Sequence, residues 1–226
     1  MCQTVQPTEI LVVDSASEDD TVRQTHCCDR VRLFSIRREE FDHGGTRDKM
    51  LRACRSPFVV MMTQDALPEN SSSMENLLKP FDDPQVAAVC ARQIAYPQAK
   101  EAEKAIRAFR YSDESDVWDQ GDMGRRGIKA YLLSNVCTAY RVSAYKAVGG
   151  FESPIIMDED MLIAADFLRM GYKLAYQAEA RVWHSHDYSL RQEYERYKKS
   201  ACFWAVTETG LTKAGRLRKA WRWLGM

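Results

Sequence analysis

The chain has 226 residues, a length typical of one domain or of one domain with a tail. Hydrophobic residues make up 45% and charged residues 28%, a globular balance that excludes a disordered polymer. Lys and Arg together number 32, and so do Asp and Glu. The zero net charge argues against a general nucleic-acid-binding protein, because such domains are normally basic.

The sequence also indicates where the protein functions. No apolar run approaches the ~20 residues that span a bilayer, and residues 1–9 are polar, unlike a signal peptide. The seven cysteines are an odd number without CxxC spacing, which is typical of reduced thiols. We therefore expect a cytoplasmic protein.

The first 65 residues alternate short apolar runs with polar segments. The apolar runs predict strands over residues 9–14, 31–36 and 57–63, and the segments between them predict a helix that opens within 15–21 and another over 46–54. This alternation predicts an α/β fold with a mainly parallel central sheet flanked by helices.

The rest of the chain is less regular. Its patterns predict helices over residues 74–78, 100–110, 143–148, 160–170 and 188–203. They predict strands over residues 86–90, 129–133, 137–140, 173–176 and 180–183, and a loop over 112–127. No repeat or linker divides the chain, so we expect one domain over residues 1–203 and a basic amphipathic tail over residues 204–226.

Two acidic residues follow predicted strands. Asp14 ends the first strand and Asp65 comes just after the third. Ligands of open α/β sheets bind beyond the carboxyl ends of the strands. Either acid alone could be a turn or cap residue, but two of them on neighbouring strands favour a site.

Two further clusters could carry chemistry. Three acids at positions 158–160 open a predicted helix, where acids also compensate the helix dipole. His184 and His186 follow a late strand, and such a pair can bind a metal, although surface histidines are commoner. Two carboxylate sites and a histidine would suit Mg²⁺ or Mn²⁺, and such a cation suits a diphosphate ligand. No P-loop or GxGxxG motif is present.

Several segments together resemble family 2 of the inverting glycosyltransferases, which have the GT-A fold. Residues 10–21 read I-L-V-V-D-S-x-S-x-D-x-T, residues 40–47 read E-F-D-H-G-G-T-R and residues 63–68 read T-Q-D-A-L-P. The last two resemble bacterial rhamnosyltransferases, in which T-Q-D-A replaces the usual Asp-x-Asp. Shorter matches continue at 91–93, 109–111, 127–129, 134–135, 149–151, 159–160 and 171–172. The resemblance implies a GT-A-like, Rossmann-like sheet.

The resemblance also implies a donor site and a metal site. Asp14, Ser15 and Arg47 would bind a nucleotide-sugar donor. Asp65 and His184 would hold Mg²⁺ or Mn²⁺ on the donor diphosphate. The favoured donor is dTDP-rhamnose.

The remaining implied roles concern the acceptor. Asp160, next to Glu159, matches the catalytic base, while Arg92 and Asn135 would line the acceptor pocket. His186 is the less favoured alternative to His184 as a metal ligand. In an inverting transfer a carboxylate takes the proton of the attacking hydroxyl, and a divalent cation neutralises the leaving diphosphate. The acceptor would be a polysaccharide or a lipid-linked glycan precursor.

The sequence departs from the family pattern at two places. Asp48 stands where the family usually has Asn, and the family's first strand and its helix are missing before residue 9. We therefore expect an N-terminally truncated domain that is poorly soluble or oligomeric, binds its donor weakly and has little activity by itself. A non-catalytic remnant that acts as a binding or scaffold protein is the alternative, and a metal-dependent hydrolase that uses the histidine pair is a weaker one.

The C-terminal segment carries its own prediction. Residues 211–226 contain five basic residues among leucine and tryptophan side chains, and no acid. Such a helix suits an anionic membrane surface, so we expect peripheral contact with the inner face of the cell membrane. A helix that docks on the domain, or a frayed tail, is the alternative.

Overall fold

The structure is a computed structural model that describes residues 3–198, apart from residues 27, 156, 187, 190, 193, 196 and 197. The described part contains two sheets. In the smaller sheet β1 (Ile10–Asp14) pairs in parallel with β2 (Val31–Ser35), so that Asp14 lies opposite Ser35. Helix α1 (Thr21–Thr25) connects these strands, and α2 (His43–Ala53) follows them.

The larger sheet has six strands. They are β3 (Phe58–Met62), β4 (Leu67–Pro68), β5 (Val86–Ile94), β6 (Asp116–Trp118), β7 (Cys137–Arg141) and β8 (Lys173–Trp183). The order is β3-β7-β5-β8-β4, and β6 also pairs with β8. Strands β5 and β8 are parallel, and the other pairings are antiparallel.

The α/β class is confirmed, but the larger sheet is mixed rather than mainly parallel. Strand β7 begins opposite the last residue of β3, since Cys137 pairs with Met62, and its next residue, Thr138, pairs with Cys90 in the second strand beside it, β5. The segment before β7 therefore arrives at the carboxyl edge of its neighbours, and β7 must run against them. An apolar pattern locates a strand but leaves its direction open.

Helices cover both faces of the larger sheet. They are α3 (Ser73–Leu78), α4 (Glu101–Arg110), α5 (Met123–Arg126), α6 (Val142–Ala147) and α7 (Glu159–Arg169). On one face Tyr145 of α6 and Phe167 of α7 pack with Tyr140 of β7, and on the other Leu77 of α3 packs with Val89 of β5. These two apolar clusters hold the strands whose ends carry the candidate site.

Three predicted elements need correction. The predicted loop over residues 112–127 contains β6 and α5, and the predicted strand over 129–133 is a 3-10 turn over Gly127–Tyr131. The carbonyl of Ala130 in that turn accepts a hydrogen bond from Trp118 Nε1 at 2.8 Å, so its apolar residues serve packing rather than strand pairing. The two predicted strands over 173–183 are one strand, because pairing with β5 runs to Gln177 and resumes at Arg181 beyond a bulge.

The smaller sheet and β3 meet without pairing. Within the described residues, β1 pairs along one edge with β2, and β3 pairs along one edge with β7. The chain just before them is close, since Thr8 Oγ is 2.9 Å from Ser56 Oγ and Arg55 N donates to Glu9 Oε1 at 3.1 Å. The expected truncation and its expected effects on solubility and donor binding stay predictions.

Other expectations concern compartment and the C-terminal segment. Cys28, Cys54, Cys90 and Cys137 are free thiols in the described part of the chain. None of the helices described here combines the length and apolar character needed to cross a bilayer. Most of the predicted helix over 188–203, and all of the tail over 204–226, lie outside the described residues.

Candidate active site

The candidate site lies at the edge of the larger sheet where β3, β5 and β8 end and β7 begins. Asp65 follows β3, Gln93 is near the end of β5, and Asn135 comes two residues before β7. His184 directly follows β8, and its backbone N–H donates to Ile94 O at 2.9 Å. The sheet topology therefore brings together residues that are up to 119 positions apart in sequence.

Three potential metal ligands meet at this edge. Asp65, His184 and His186 each offer a ligand atom, and these atoms lie within 4.8 Å of one another. His184 Nε2 is 3.4 Å from Asp65 Oδ2. The His186 ring packs edge-on to His184 and stacks on Tyr188, with ring centroids 4.5 and 4.7 Å apart. The structure thus joins the favoured histidine and its alternative in one cluster.

The protonation states of this cluster suit a cation. Burial, assisted by the nearby charge of Arg107, lowers the pKa of His184 to about 4, so its imidazole is neutral at pH 7. Burial opposes ionisation of Asp65, but the neighbouring polar groups outweigh burial and lower the pKa of this carboxyl. An ionised carboxylate and a neutral imidazole are the forms that bind metals.

The spacing also fits a bound divalent ion. Two ligands of an octahedral ion, each about 2.1 Å from it and at right angles, lie about 3 Å apart. The 3.4 Å between His184 Nε2 and Asp65 Oδ2 is close to this value. The Asp65 side chain is 41% exposed, so a ligand in solution could share the ion with it.

A second cluster surrounds the first turn of α7. Glu159 is buried, and its Oε1 accepts hydrogen bonds from Arg47 of α2 and from Asn135 Nδ2, the latter at 2.9 Å. Tyr140 OH donates to Asn135 Oδ1 at 2.8 Å and so fixes the orientation of that amide. The Glu159 carboxylate is thus committed to an ion pair between α2 and α7.

Asp160 is differently placed. Its Oδ2 accepts from the backbone N–H of Asn135 and its Oδ1 from that of Met161, both at 2.9 Å. Burial, together with the charge of Glu159, raises the pKa of Asp160 to about 7. A carboxylate with this pKa is suited to general-base catalysis near neutral pH.

The two clusters form one site through a polar link. Gln93 Oε1 is 2.9 Å from His184 Nδ1, and Gln93 Nε2 donates to Ser134 Oγ at 2.9 Å. The next residue, Asn135, holds Asp160. The metal-ligand cluster and the candidate base are therefore separated by two side chains.

Other predicted site residues lie apart from this link. Asp14 ends β1 in the smaller sheet and accepts from Ser17 N at 3.2 and 3.3 Å, which closes the loop that contains Ser15. A cavity of about 600 Å³ opens between the smaller sheet and α2. Arg92 of β5 is half-buried, and its Nε has no hydrogen-bond partner among the described residues.

The structure gives specific surroundings to two residues that were predicted to bind substrate. Arg47 was expected at the donor and is ion-paired with Glu159. Asn135 was expected to line the acceptor pocket, and its side chain is buried between Tyr140 and Glu159. Their substrate roles remain predictions.

Sequence reasoning missed the buried polar residues behind the metal-ligand cluster. Gln93 is a polar residue within the buried strand β5, and Glu103 and Arg107 are an acid and a base four residues apart on α4. An acid–base pair at this spacing is a recognisable helical signal. Its contact with β5 depends on tertiary packing and has no local signature.

The chain is similar in sequence to known glycosyltransferases. The family profile described as Glycosyl transferase family 2 matches residues 2–149. The chain is 43% identical over 204 residues to the O-antigen chain rhamnosyltransferase WbaN of Salmonella anatum, covering 90% of this chain and 64% of that protein. It is 38% identical to RfbN of Salmonella typhimurium, covering 91% of this chain and 66% of that one. The chain thus spans just under two thirds of the length of both relatives.

Solved structures with a similar fold are more distant in sequence. The mannosyltransferase PcManGT from Pyrobaculum calidifontis, in complex with GDP-Man and Mn²⁺, superposes with a TM-score of 0.64 at 20% identity, covering 94% of this chain and 60% of that one. TarS 1-349 of S. aureus, in complex with UDP-GlcNAc, gives 0.63 at 13% identity, covering 98% and 64%. These likenesses confirm the expected GT-A-like α/β fold. The profile match and the two relatives show that the chain belongs to glycosyl transferase family 2.

Proposed function

We propose that the chain carries the catalytic site of a metal-dependent, inverting glycosyltransferase that moves rhamnose from dTDP-rhamnose to an O-antigen or lipid-linked glycan precursor. The observation that carries this proposal is the link from Asp65 and His184 through Gln93 and Ser134 to the segment that holds Asp160. It supports the proposal because three potential metal ligands and a carboxyl group with a pKa of about 7 lie at one sheet edge. The relatives named rhamnosyltransferases support the sugar and the glycan acceptor.

Different residues of this chain would bind the donor and accept the proton of the acceptor. Asp160, anchored by two backbone N–H groups, would accept the proton of the acceptor hydroxyl as that oxygen attacks the anomeric carbon. Asp14 and Ser15, at the end of β1, would contact the base or ribose of the donor. Arg47 would hold Glu159 in place behind Asp160, beside the donor.

Asp65 and His184, with His186 as a third candidate, would hold Mg²⁺ or Mn²⁺. When bound, the ion would neutralise the charge that develops on the leaving diphosphate. The imidazole ligands favour Mn²⁺ over Mg²⁺, which prefers oxygen ligands. The structural neighbour that binds GDP-Man and Mn²⁺ supports such a cation for this fold.

The first test is a thermal-shift screen of sugar nucleotides with Mn²⁺, with Mg²⁺ or with EDTA. We expect dTDP-rhamnose to raise the melting temperature more than UDP- or GDP-sugars do, and EDTA to remove most of the effect. Because this chain is expected to bind its donor weakly, the screen uses millimolar sugar nucleotide, and stabilisation by none of them at that concentration would favour the non-catalytic scaffold alternative. Metal-dependent hydrolysis without dependence on a sugar nucleotide would favour the hydrolase alternative.

A variant pair tests the metal ligands. Asp65→Ala should abolish the metal-dependent part of the rise in melting temperature that the donor causes, because it removes the carboxylate ligand of the cluster. Asp29→Ala removes an exposed carboxylate from the turn before β2 and should leave the shift unchanged. Donor affinity that is insensitive both to EDTA and to Asp65→Ala would contradict the proposed metal site.

A further inference from the structure

A buried polar chain extends from His184 away from the candidate site. Gln93 Oε1 is 2.9 Å from His184 Nδ1 and accepts from Arg107 Nη1 at 2.7 Å. Arg107 Nε donates in turn to Glu103 Oε1 at 2.8 Å, and the same oxygen accepts from the backbone N–H of His186 at 3.4 Å. All four side chains of this relay, Glu103, Arg107, Gln93 and His184, are at least 90% buried. The relay therefore contacts both histidines of the metal-ligand cluster.

The chemistry of the relay fixes the orientation of the Gln93 amide. A guanidinium group has donors and no acceptor, so the Gln93 atom that faces Arg107 must be the amide oxygen. The amide nitrogen then faces Ser134 Oγ, which can accept its hydrogen bond. The contacts of the amide oxygen and of the amide nitrogen therefore require the same orientation of the Gln93 side chain.

That orientation decides which nitrogen of His184 carries the proton. An amide oxygen can only accept, so Nδ1 must donate to it, and Nε2 is the ring nitrogen left to bind a cation. The lone pair of Nε2 faces Asp65 Oδ2, another acceptor, at 3.4 Å.

We propose that Gln93, held in orientation by Arg107 and Glu103, is a positioning residue that keeps the His184 proton on Nδ1 and so presents Nε2 to a divalent cation. This role rests on the proposed function, because it concerns the metal site proposed there. Outer partners of metal-binding histidines fix the tautomer and the ring orientation, and their loss typically lowers metal affinity by about 10–100-fold.

The first measurement needs no metal and no substrate. Two-bond ¹H–¹⁵N spectra of metal-free protein with ¹⁵N-labelled histidine report which ring nitrogen is protonated, and the His184 signals are identified by their absence in His184→Ala. We expect the proton of His184 on Nδ1. A proton on Nε2 would overturn the role of Gln93 while leaving the proposed glycosyltransferase function in place.

The second measurement is Mn²⁺ affinity by calorimetric titration. Gln93→Leu should weaken binding about 10–100-fold and allow the other tautomer, whereas Gln93→Glu keeps an accepting oxygen and should bind within a few-fold of wild type. Asn76→Leu is the matched control, since it removes a buried amide of α3 that is bonded to Glu179 O and Lys79 Nζ. If Gln93→Leu does not fold, Gln93→Asn withdraws the oxygen by one methylene and replaces it.

The outcomes separate the two proposals. Wild-type affinity in Gln93→Leu, or equal weakening in Asn76→Leu, would overturn the positioning role while the metal site stands. Absence of Mn²⁺ binding in the wild-type chain would overturn the metal site and the positioning role together. Weakening confined to Gln93→Leu, with the proton on Nδ1 in wild type, supports both.

Discussion

The two sheets differ in how deeply their strands are buried and in how they pair. In the larger sheet residues 86–91 of β5 are fully buried, and β5 pairs with β7 on one side and β8 on the other. In the smaller sheet β1 is fully buried at Asp14 and half-buried or exposed elsewhere, and no residue of β2 is fully buried. The free energy of burial is therefore concentrated in the larger sheet.

This difference separates the parts of the candidate mechanism. The metal-ligand cluster and Asp160 are held by the ends of buried strands and by paired polar groups. Asp14 and Ser15, the predicted donor contacts, belong to the thinly packed smaller sheet. The larger sheet, the more deeply buried half of the molecule, should therefore set the chemistry and the metal-dependent part of donor binding, while the smaller sheet should contact the base or ribose of the donor.

The largest expected effect is a loss of transfer rate on substitution of Asp160, beside the larger sheet. Asp160→Asn keeps the shape of the side chain but cannot accept the acceptor's proton, so the transfer rate should fall about 10²–10⁴-fold with an unchanged melting temperature. Asp29→Asn is the control, because it makes the same change at an exposed position in the turn before β2. A transfer rate near that of wild type in Asp160→Asn would place the base elsewhere, with Asp158 and Glu159 as the next candidates.

Amide hydrogen exchange measures the difference between the sheets directly. Backbone amides of β5 should exchange at least about a hundredfold more slowly than those of β1, since strands with two partners and full burial open only in larger unfolding events. The measurement is native-state exchange followed by mass spectrometry of peptides that cover residues 10–14 and 86–94. Equal protection of the two strands would show that the smaller sheet is as firmly held as the larger one.

A matched pair of core substitutions gives the third test. Val89→Ala should lower the free energy of unfolding by about 2 kcal/mol, because Val89 is fully buried and its truncation leaves a cavity. Val12→Ala, at a half-buried position of β1, should cost less than about 1 kcal/mol. Chemical denaturation of both variants checks this, and a larger loss in Val12→Ala would reverse the ranking of the two sheets.

The two sheets also differed in how far the sequence predicted them. Strands of both were located from apolar runs, because an apolar run bounded by turn residues needs only local information. The split of 173–183 into two strands was wrong because Gln177 and Glu179 interrupt the apolar pattern, although the strand continues across a bulge. The antiparallel direction of β7 depends on where the chain re-enters the sheet, which periodicity does not record.

The site was predictable to the extent that it follows strand ends. Asp65 and His184 were found in this way, and the structure places them 3.4 Å apart. The pairing of Arg47 with Glu159 joins residues 112 positions apart, and the contact of Gln93 with His184 joins residues 91 apart. Such contacts depend on packing and register, so the sequence supplied the candidate side chains without their partners.

The smallest expected effect is a pH dependence of kcat/KM that arises from Asp160, beside the larger sheet. Because the pKa of Asp160 is raised to about 7, the proton-accepting form grows from about a tenth of the molecules at pH 6 to about nine tenths at pH 8. The value of kcat/KM should therefore rise about tenfold over this range and be lost as pH falls through 7. His184 should not contribute, since its pKa of about 4 leaves it neutral throughout.

One substitution shows whether that profile reports Asp160. Glu159→Gln removes the neighbouring charge that helps to raise the pKa of Asp160, and its amide oxygen can still accept from Arg47 and Asn135. The midpoint of the kcat/KM profile should then move to lower pH, so that the rate at pH 6 comes closer to the rate at pH 8. An unshifted midpoint in Glu159→Gln would show that the pH dependence does not arise from Asp160 and would remove the main support for Asp160 as the base.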